Sequence, residues 1–516
     1  MRPPGRSGWR APLENIGDLE LLIASHNAIV AIESPEEERV RALVAEAAAR
    51  QDLPFFEWKV TSGLLRVGAG DPLFETDKPA QALKAAAGMR TEAVYLFYDL
   101  HKYFEDPAIL RALRDIGQTF SADRRTLVLC APAIDIPDDL RPCTARIRLE
   151  LPDVKALREL TVRTLRGLGA PQRIKIDLSL PEIGQLVESL RGLTLMEAQR
   201  VLMAASLDDL RLDRNDFKHI LERKKSLIAS DGVLELEARD TTLQQVGGLD
   251  NLKAWLKKRA PGFAPEARKH GLEAPRGLLL IGVQGCGKSL GARAVASEWG
   301  LPLLRLEAGA LYDKFVGESE RRLRAALATA EAMAPCVLFI DEIEKGFSGR
   351  TGTESDGGLS RRIFGTFVSW LQDRRRPVCV TATANDIQAL PPELLRKGRF
   401  DEIFFVDLPA DPARRSILAV HLVKRDLDPG AFSLPDLAAA SEGFSGAEIE
   451  AAIVSALYSA FSDRQPLSTG HLLSEIRRAV PLSRTCKEAI EELREWAKGR
   501  TVPAAGDPAR PASSAA

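Results

Sequence analysis

Short apolar, β-branched runs alternate along the chain with stretches in which apolar positions recur every three or four residues. The first pattern predicts strands buried on both faces, the second amphipathic helices, and their alternation predicts a parallel α/β architecture. It occurs twice. In the first half NAIVAI (Asn27–Ile32) leads into ESPEEER and a helix through Ala49, VYLFYD ends at Asp99, and TLVLCAP starts at Thr126. Helical segments near Val154–Leu168 and Pro181–Leu207 close that half. In the second half GLLLIGV (Gly277–Val283) leads into a glycine loop and a helix, CVLFID ends at Asp341, and VCVTATAN ends at Asn385. Helical segments near Pro412–Lys424 and Gly446–Phe461 follow.

The glycine loop carries the chemistry. GVQGCGKS, Gly282–Ser289, satisfies G-x-x-x-x-G-K-[ST] in full between a strand and a helix. Gly282, Gly285 and Gly287 let the backbone turn so that successive N–H groups face phosphate oxygens, with Val283, Gln284 and Cys286 between them. The following helix offers its positive N-terminus to the same anion. Lys288 can reach the β- and γ-phosphates of ATP, and Ser289 offers a hydroxyl to Mg²⁺. CVLFIDE delivers two carboxylates at a strand end: Asp341 to hold the magnesium shell, Glu342 to polarise the attacking water. Asn385 ends the next strand, where a neutral amide can position that water without repelling a triphosphate. Cys286 admits two readings, a redox-sensitive thiolate or a small residue filling a tight turn, and the turn is favoured.

The order of elements repeats between the halves, but the chemistry does not. Where the second half has GCGKS the first has the acidic ESPEEER, which would repel a triphosphate. The fold class predicted is therefore a P-loop NTPase module, a parallel sheet between helices with a small helical lid, preceded by a degenerate P-loop-like α/β domain. The boundaries read as a disordered tail at 1–12, the degenerate domain at 13–210, and a charged linker helix at 211–240. The large ATPase subdomain follows at 241–410, the lid and C-terminal helices at 411–499, and a second disordered tail at 500–516.

Composition then narrows the partners. The 71 lysines and arginines nearly cancel the 72 aspartates and glutamates, so no global field draws nucleic acid or anionic lipid. No apolar run could span a bilayer, and no apolar core follows the basic N-terminus, so membrane insertion is not expected. The six cysteines are scattered without a CxxC pair, which fits a reducing cytoplasm. HExxH is absent, against a metalloprotease.

These motifs resemble the AAA family of AAA+ ATPases. VGGLDNLK (Val246–Lys253) is similar to its segment before the P-loop, implying that Val246 and Gly247 pack beside adenine. The phosphate loop, read as GVQGCGKSL, extends the nucleotide contacts to Leu290. KFVGESE (Lys314–Glu320) resembles the loop facing the central pore of a ring, where Phe315 would grip an extended polypeptide; a core phenylalanine is the alternative. LLRKGRFDE (Leu394–Glu402) resembles the segment with two arginine fingers, here Arg396 and Arg399, one of which could instead brace the fold. GFSGAEIE (Gly443–Glu450) resembles the lid-helix start, implying that the Gly446–Ala447 backbone lies near the nucleotide. EAMAPCVLFIDEIEK and LPPELLRKGRFDEIFFVDLP are similar to the cyanobacterial and plastid family called hypothetical chloroplast reading frame forty-six, over about residues 15–425. The resemblance implies a homo-oligomeric ring, hexameric by analogy, that remodels a protein client. A nucleotide-controlled scaffold whose first half recruits a partner, and a nucleic-acid-directed ATPase, are the other readings.

Overall fold

The computed structural model describes residues 16–68, 71–169, 175–208, 211–213, 216–229, 232–263, 267, 269–311, 318–347, 357–374, 376–396 and 398–506. Two compact units divide the chain, Met1–Leu221 and Glu222–Ala516.

The first unit runs α1 (Ile16–Ala24), β1 (Ile29–Glu33), α2 (Glu37–Arg50), β2 (Phe55–Lys59), β3 (Gly63–Arg66), α3 (Pro79–Gly88) and β4 (Val94–Tyr98). It continues with α4 (Pro107–Phe120), β5 (Thr126–Ala131), β6 (Thr144–Arg148) and α5 (Val154–Gly169). After β7 (Lys175–Ile176) come α6 (Leu180–Ser189), α7 (Leu195–Asp208) and β8 (Arg211–Leu212), and α8 (Asp216–Ile228) spans the division between the units.

The second unit has β9 (Leu234–Glu237), α9 (Asp250–Arg259), β10 (Gly277–Gly282), α10 (Lys288–Trp299), β11 (Leu303–Leu306), α11 (Glu318–Ala332) and β12 (Cys336–Ile340). Next are α12 (Ile343–Phe347), α13 (Gly357–Asp373), β13 (Val378–Ala384) and β14 (Glu402–Val406). The lid is α14 (Asp411–Val423), α15 (Leu434–Ala440), α16 (Gly446–Ser462) and α17 (Thr469–Arg478). α18 (Leu482–Thr485), α19 (Lys487–Ala497) and β15 (Val502–Pro503) end it.

The two main sheets share one topology. In the first, neighbours run β2-β4-β5-β1-β6, all parallel; in the second, β11-β12-β13-β10-β14, also all parallel. Each has an antiparallel edge strand, β3 on β2 and β9 on β11. The expected repeat of the P-loop-like layout is thus present in the first unit. β10, β12 and β13 are buried throughout, as strands covered by helices on both faces must be. Alternate side chains feed two cores: Leu279, Leu338 and Val380 on one face, Leu278, Leu280, Val337 and Phe339 on the other.

The repeat extends into the lid. Gly192-Leu193-Thr194-Leu195-Met196-Glu197 mirrors Gly443-Phe444-Ser445-Gly446-Ala447-Glu448. Both glycines take positive φ, +85° and +80°. Both hydroxyl residues sit in capping boxes: Thr194 N and Oγ1 donate to Glu197 at 2.9 and 2.8 Å, Ser445 N and Oγ to Glu448 at 2.7 and 2.9 Å. That glycine splits the Pro181–Leu207 segment into α6 and α7.

Two boundary readings need correction. Among the described residues of 211–240, the α-helix is confined to Asp216–Ile228; Arg211–Leu212 pairs with β7, and Leu234–Glu237 is already an edge of the second sheet. Within 500–516, Val502–Gly506 is not a disordered tail, because β15 pairs with β14 and Ala504 is fully buried. Proline and alanine suit that edge position, where half the ladder bonds are not required.

Candidate functional site

The strand β10 aims the glycine loop between β13 and β14. Gly282 has φ +146°, and a Cβ there would lie 2.0 Å from the Val406 carbonyl oxygen, so only glycine lets the strand pass β14. Gly285 turns the chain at φ +75°, where a Cβ would crowd Ser445 Oγ and Ala447 Cβ of the lid. Gly287, at φ +87°, is the N-cap of α10. The lid closes on this loop directly: Ala447 N donates to the Gly285 carbonyl at 3.0 Å. Val246 is buried, and Gly247 passes so close to Ile417 of α14 that a Cβ would sit 2.5 Å from it. The segment around Val246–Gly247 therefore lies at the seam between core and lid.

Lys288 is buried, 6% exposed, and folds back on its own loop, Nζ donating to the Gly282 and Val283 carbonyls at 2.8 Å each. Burial lowers its ammonium to about 8, opposed by the thiol of Cys286 and the carboxylates of Glu344, Asp341 and Glu342. Burial pushes the Cys286 thiol up to about 12, overriding the lysine beside it, which fits the turn-filling reading and not a reactive thiolate.

Two networks meet at the end of β12. Asp341 Oδ1 accepts from Ser289 Oγ at 2.7 Å and Thr383 Oγ1 at 2.6 Å, tying the P-loop hydroxyl to the strand-end carboxylate. Glu342 is held at φ +48°, a strained backbone for a residue with a side chain, and its N–H donates to Thr383 Oγ1 at 2.9 Å. Its carboxylate accepts from Asn385 Nδ2 at 2.7 Å and pairs with the exposed Lys345 at 2.7 Å. The structure brings Lys288, Ser289, Asp341, Glu342 and Asn385 into one connected site.

Two residues of that site are not legible as functional from motifs alone. Thr383 braces both acidic residues, and its one signal, a hydroxyl on a buried strand, is shared with Thr381. Glu344 is 3% exposed and accepts from the Asn385 and Asp386 N–H groups at 2.9 and 3.3 Å, fixing the asparagine's position. Burial raises its carboxyl, and within DEIEK nothing marks it off from a solvated helix start.

The arginine pair separates. Arg396 is exposed just after a 3₁₀ turn, Pro392–Leu395. Arg399 is 6% exposed and donates to the Glu393 carbonyl within its own loop, so it braces that loop and is not presented outward. Phe315 lies outside the described residues.

The corresponding place in the first unit is filled. Five residues, 283–287, separate β10 from α10, whereas three, 34–36, separate β1 from α2. Glu36 and Arg39, both buried, pair at 3.1 Å there. Arg39 Nη1 donates to the Glu150 carbonyl at 2.6 Å, and the lid-like α7 donates its Leu195 N–H to Glu36 Oε1 at 2.7 Å. A side-chain carboxylate thus takes the N–H of Leu195, the counterpart of Gly446 at the start of the lid helix.

Among the described residues no helix is long and apolar enough to cross a membrane. The family model of the ATPase family associated with various cellular activities (AAA) matches residues 278–408. Models of the SpoVK-like AAA ATPase N-terminal and second domains match 16–149 and 155–231. The chain is 37% identical to the AAA domain-containing protein ycf46 of Guillardia theta, covering 94% of this chain and 96% of that one. It is 35% identical to ycf46 of Pyropia yezoensis, over 93% and 97%. A cell division cycle protein 48 homologue of Archaeoglobus fulgidus is 28% identical, over 71% of this chain and 53% of its own length. With its P-loop, its acidic strand end and its lid assembled as above, the chain belongs to the AAA family of ATPases, in the group that includes ycf46.

Proposed function

We propose that the second unit binds ATP with Mg²⁺ and hydrolyses it, and that copies of the chain assemble head to tail into a ring that remodels a protein client. The observation carrying the hydrolysis reading is the joined network of Ser289, Thr383 and Asp341 beside Glu342 and Asn385, under a glycine loop. Hydroxyl and carboxylate oxygens are the hard donors Mg²⁺ prefers, and when bound the ion neutralises phosphate charge as it develops. The loop amides and Lys288 hold the triphosphate, its ammonium moving off the Gly282 and Val283 carbonyls. Asn385 aims the Glu342 carboxylate, which takes a proton from the attacking water.

The test is turnover and binding in magnesium buffer. One nucleotide per chain is expected, because the Glu36–Arg39 pair fills the first unit's equivalent place. Two per chain, or none, would overturn this assignment.

Ring assembly supports a role for Arg396, the outward arginine, at a neighbouring subunit's phosphates. Arg396→Ala should lower kcat about a hundredfold, within what one charge-stabilising donor supplies. Mixed with Lys288→Ala protein it should recover activity, because each variant supplies what the other lacks. No recovery on mixing would remove the trans role. The plugged first unit favours its use in recruiting a partner, so the scaffold reading stands second; the balanced charge gives nucleic acid no comparable support.

A further inference from the structure

Beyond the lid the chain does not leave the nucleotide site. It turns at Pro481 and returns over the core as α18, α19 and β15. Four contacts fix its course. At the lid, Leu482 N donates to Glu448 Oε1 at 2.7 Å, the carboxylate that caps the lid helix over the phosphate loop. At the sensor loop, Gln388, three residues past Asn385, donates to Glu492 Oε1 at 2.6 Å. At the hinge, Arg494 grips Asp407 with two bonds of 2.9 Å, Nε to Oδ2 and Nη2 to Oδ1. Behind the Val246–Gly247 segment, the Ala504 carbonyl accepts the N–H groups of Asn251 and Leu252 at the start of α9, while Ala504 N donates to Phe405 O.

The hinge contact is singular in its placement. Asp407 follows the last residue of β14 and precedes the lid helix α14 by only four positions. It lies where lid rotation about the core must pivot. The Asp407 charge is felt at Cys286 in the phosphate loop. Between α19 and the sensor loop lies an open pocket of 540 Å³ lined by Ile387, Gln388, Glu492 and Trp496. Ile490 and Ala497 of α19 are buried and Trp496 packs on the core, so packing and polar ties together set the helix's position along that face.

We propose that Arg494 is a positioning residue of the nucleotide cycle: by clamping Asp407 it makes the C-terminal segment a strap that holds the lid's Gly446–Ala447 against the phosphate loop and slows nucleotide release. The inference rests on the second unit binding nucleotide. The strap is anchored at one end in the core sheet through β15 and at the other on the lid through Glu448. Opening the lid separates Ala447 N from Gly285 O and pulls on the strap through the Leu482 N–Glu448 bond, and the Arg494 pair holds the strap to the core against that pull. The pair is about half exposed, so its removal costs folding little and acts on lid position.

The experiment follows release of a fluorescent ADP analogue from the full chain with Mg²⁺, beside steady-state ATPase. Arg494→Ala should speed release about tenfold and raise KM for ATP by a similar factor, with kcat changed less than about twofold, a size usual for coupling between sites. The charge swap Asp407→Arg with Arg494→Asp should restore slow release, which a merely structural loss would not. Unchanged release in Arg494→Ala, or a swap no slower than either single variant, overturns the strap while leaving the ATPase reading in place. Wild-type protein that binds no analogue overturns both.

Discussion

Lys288→Ala is expected to abolish measurable ATP turnover and to weaken ATP binding by roughly 10²- to 10⁴-fold, the value of two charge-assisted hydrogen bonds at about 1.5–3 kcal/mol each. The wild-type side chain is buried and already dehydrated, so it meets a triphosphate without stripping its own water first. That burial gives the site a pH signature. In the folded chain the ammonium is lowered from 10.5 to about 8, whereas the unfolded chain keeps the ordinary value. Between those values the unfolded state binds more protons, so the stability contribution of this group rises with pH through that window. Nucleotide binding has the opposite sign, because the triphosphate needs the charged form. Affinity should be full below about pH 8 and fall above it, by at most tenfold per unit for one proton. Equilibrium binding from pH 6.5 to 9.5 on wild type and Lys288→Ala measures both effects; a slope retained in the variant would move the titration to another group.

Glu342→Gln should slow hydrolysis about 10²- to 10⁴-fold while leaving ATP affinity within a few-fold of wild type, the range for removing a general base. The separation follows from the geometry. Glutamine keeps an oxygen to accept from Asn385 Nδ2, and the Ser289–Asp341–Thr383 network does not pass through the Glu342 side chain. What is lost is the basic oxygen and the ion pair to exposed Lys345, worth little by itself. The variant should hold ATP long enough for sizing chromatography to show the assembled ring and for a pull-down to retain its client. Wild-type turnover in Glu342→Gln would remove the residue from the water, and a monomeric ATP-bound form would count against the ring.

Much of the site was legible because its chemistry is local in sequence. Gly282–Ser289 needs consecutive residues to cradle one phosphate chain, and Asp341–Glu342 needs a buried strand end, so both leave short readable signatures. Strands with an unbroken apolar run, such as Val94–Tyr98 and Cys336–Ile340, were equally plain. The short strands Phe55–Lys59 and Leu303–Leu306 carry charged residues among their apolar ones, and a period of two cannot be told from chance over so few positions. Thr383 and Glu344 stayed hidden because their roles depend on partners about forty residues away across the sheet.

By itself, then, the sequence determined the twice-repeated α/β order, the phosphate loop and the two acidic residues beside it, since each is dictated by the conformational freedom of glycine, by hydrophobic periodicity or by adjacent charges. Only the tertiary structure decided that Arg399 turns inward while Arg396 faces out, that Glu36 and Arg39 close the first unit's equivalent loop, and that the final segment joins the second sheet and clamps Asp407. Burial and long-range pairing are properties of where distant segments meet, and no local spacing encodes them.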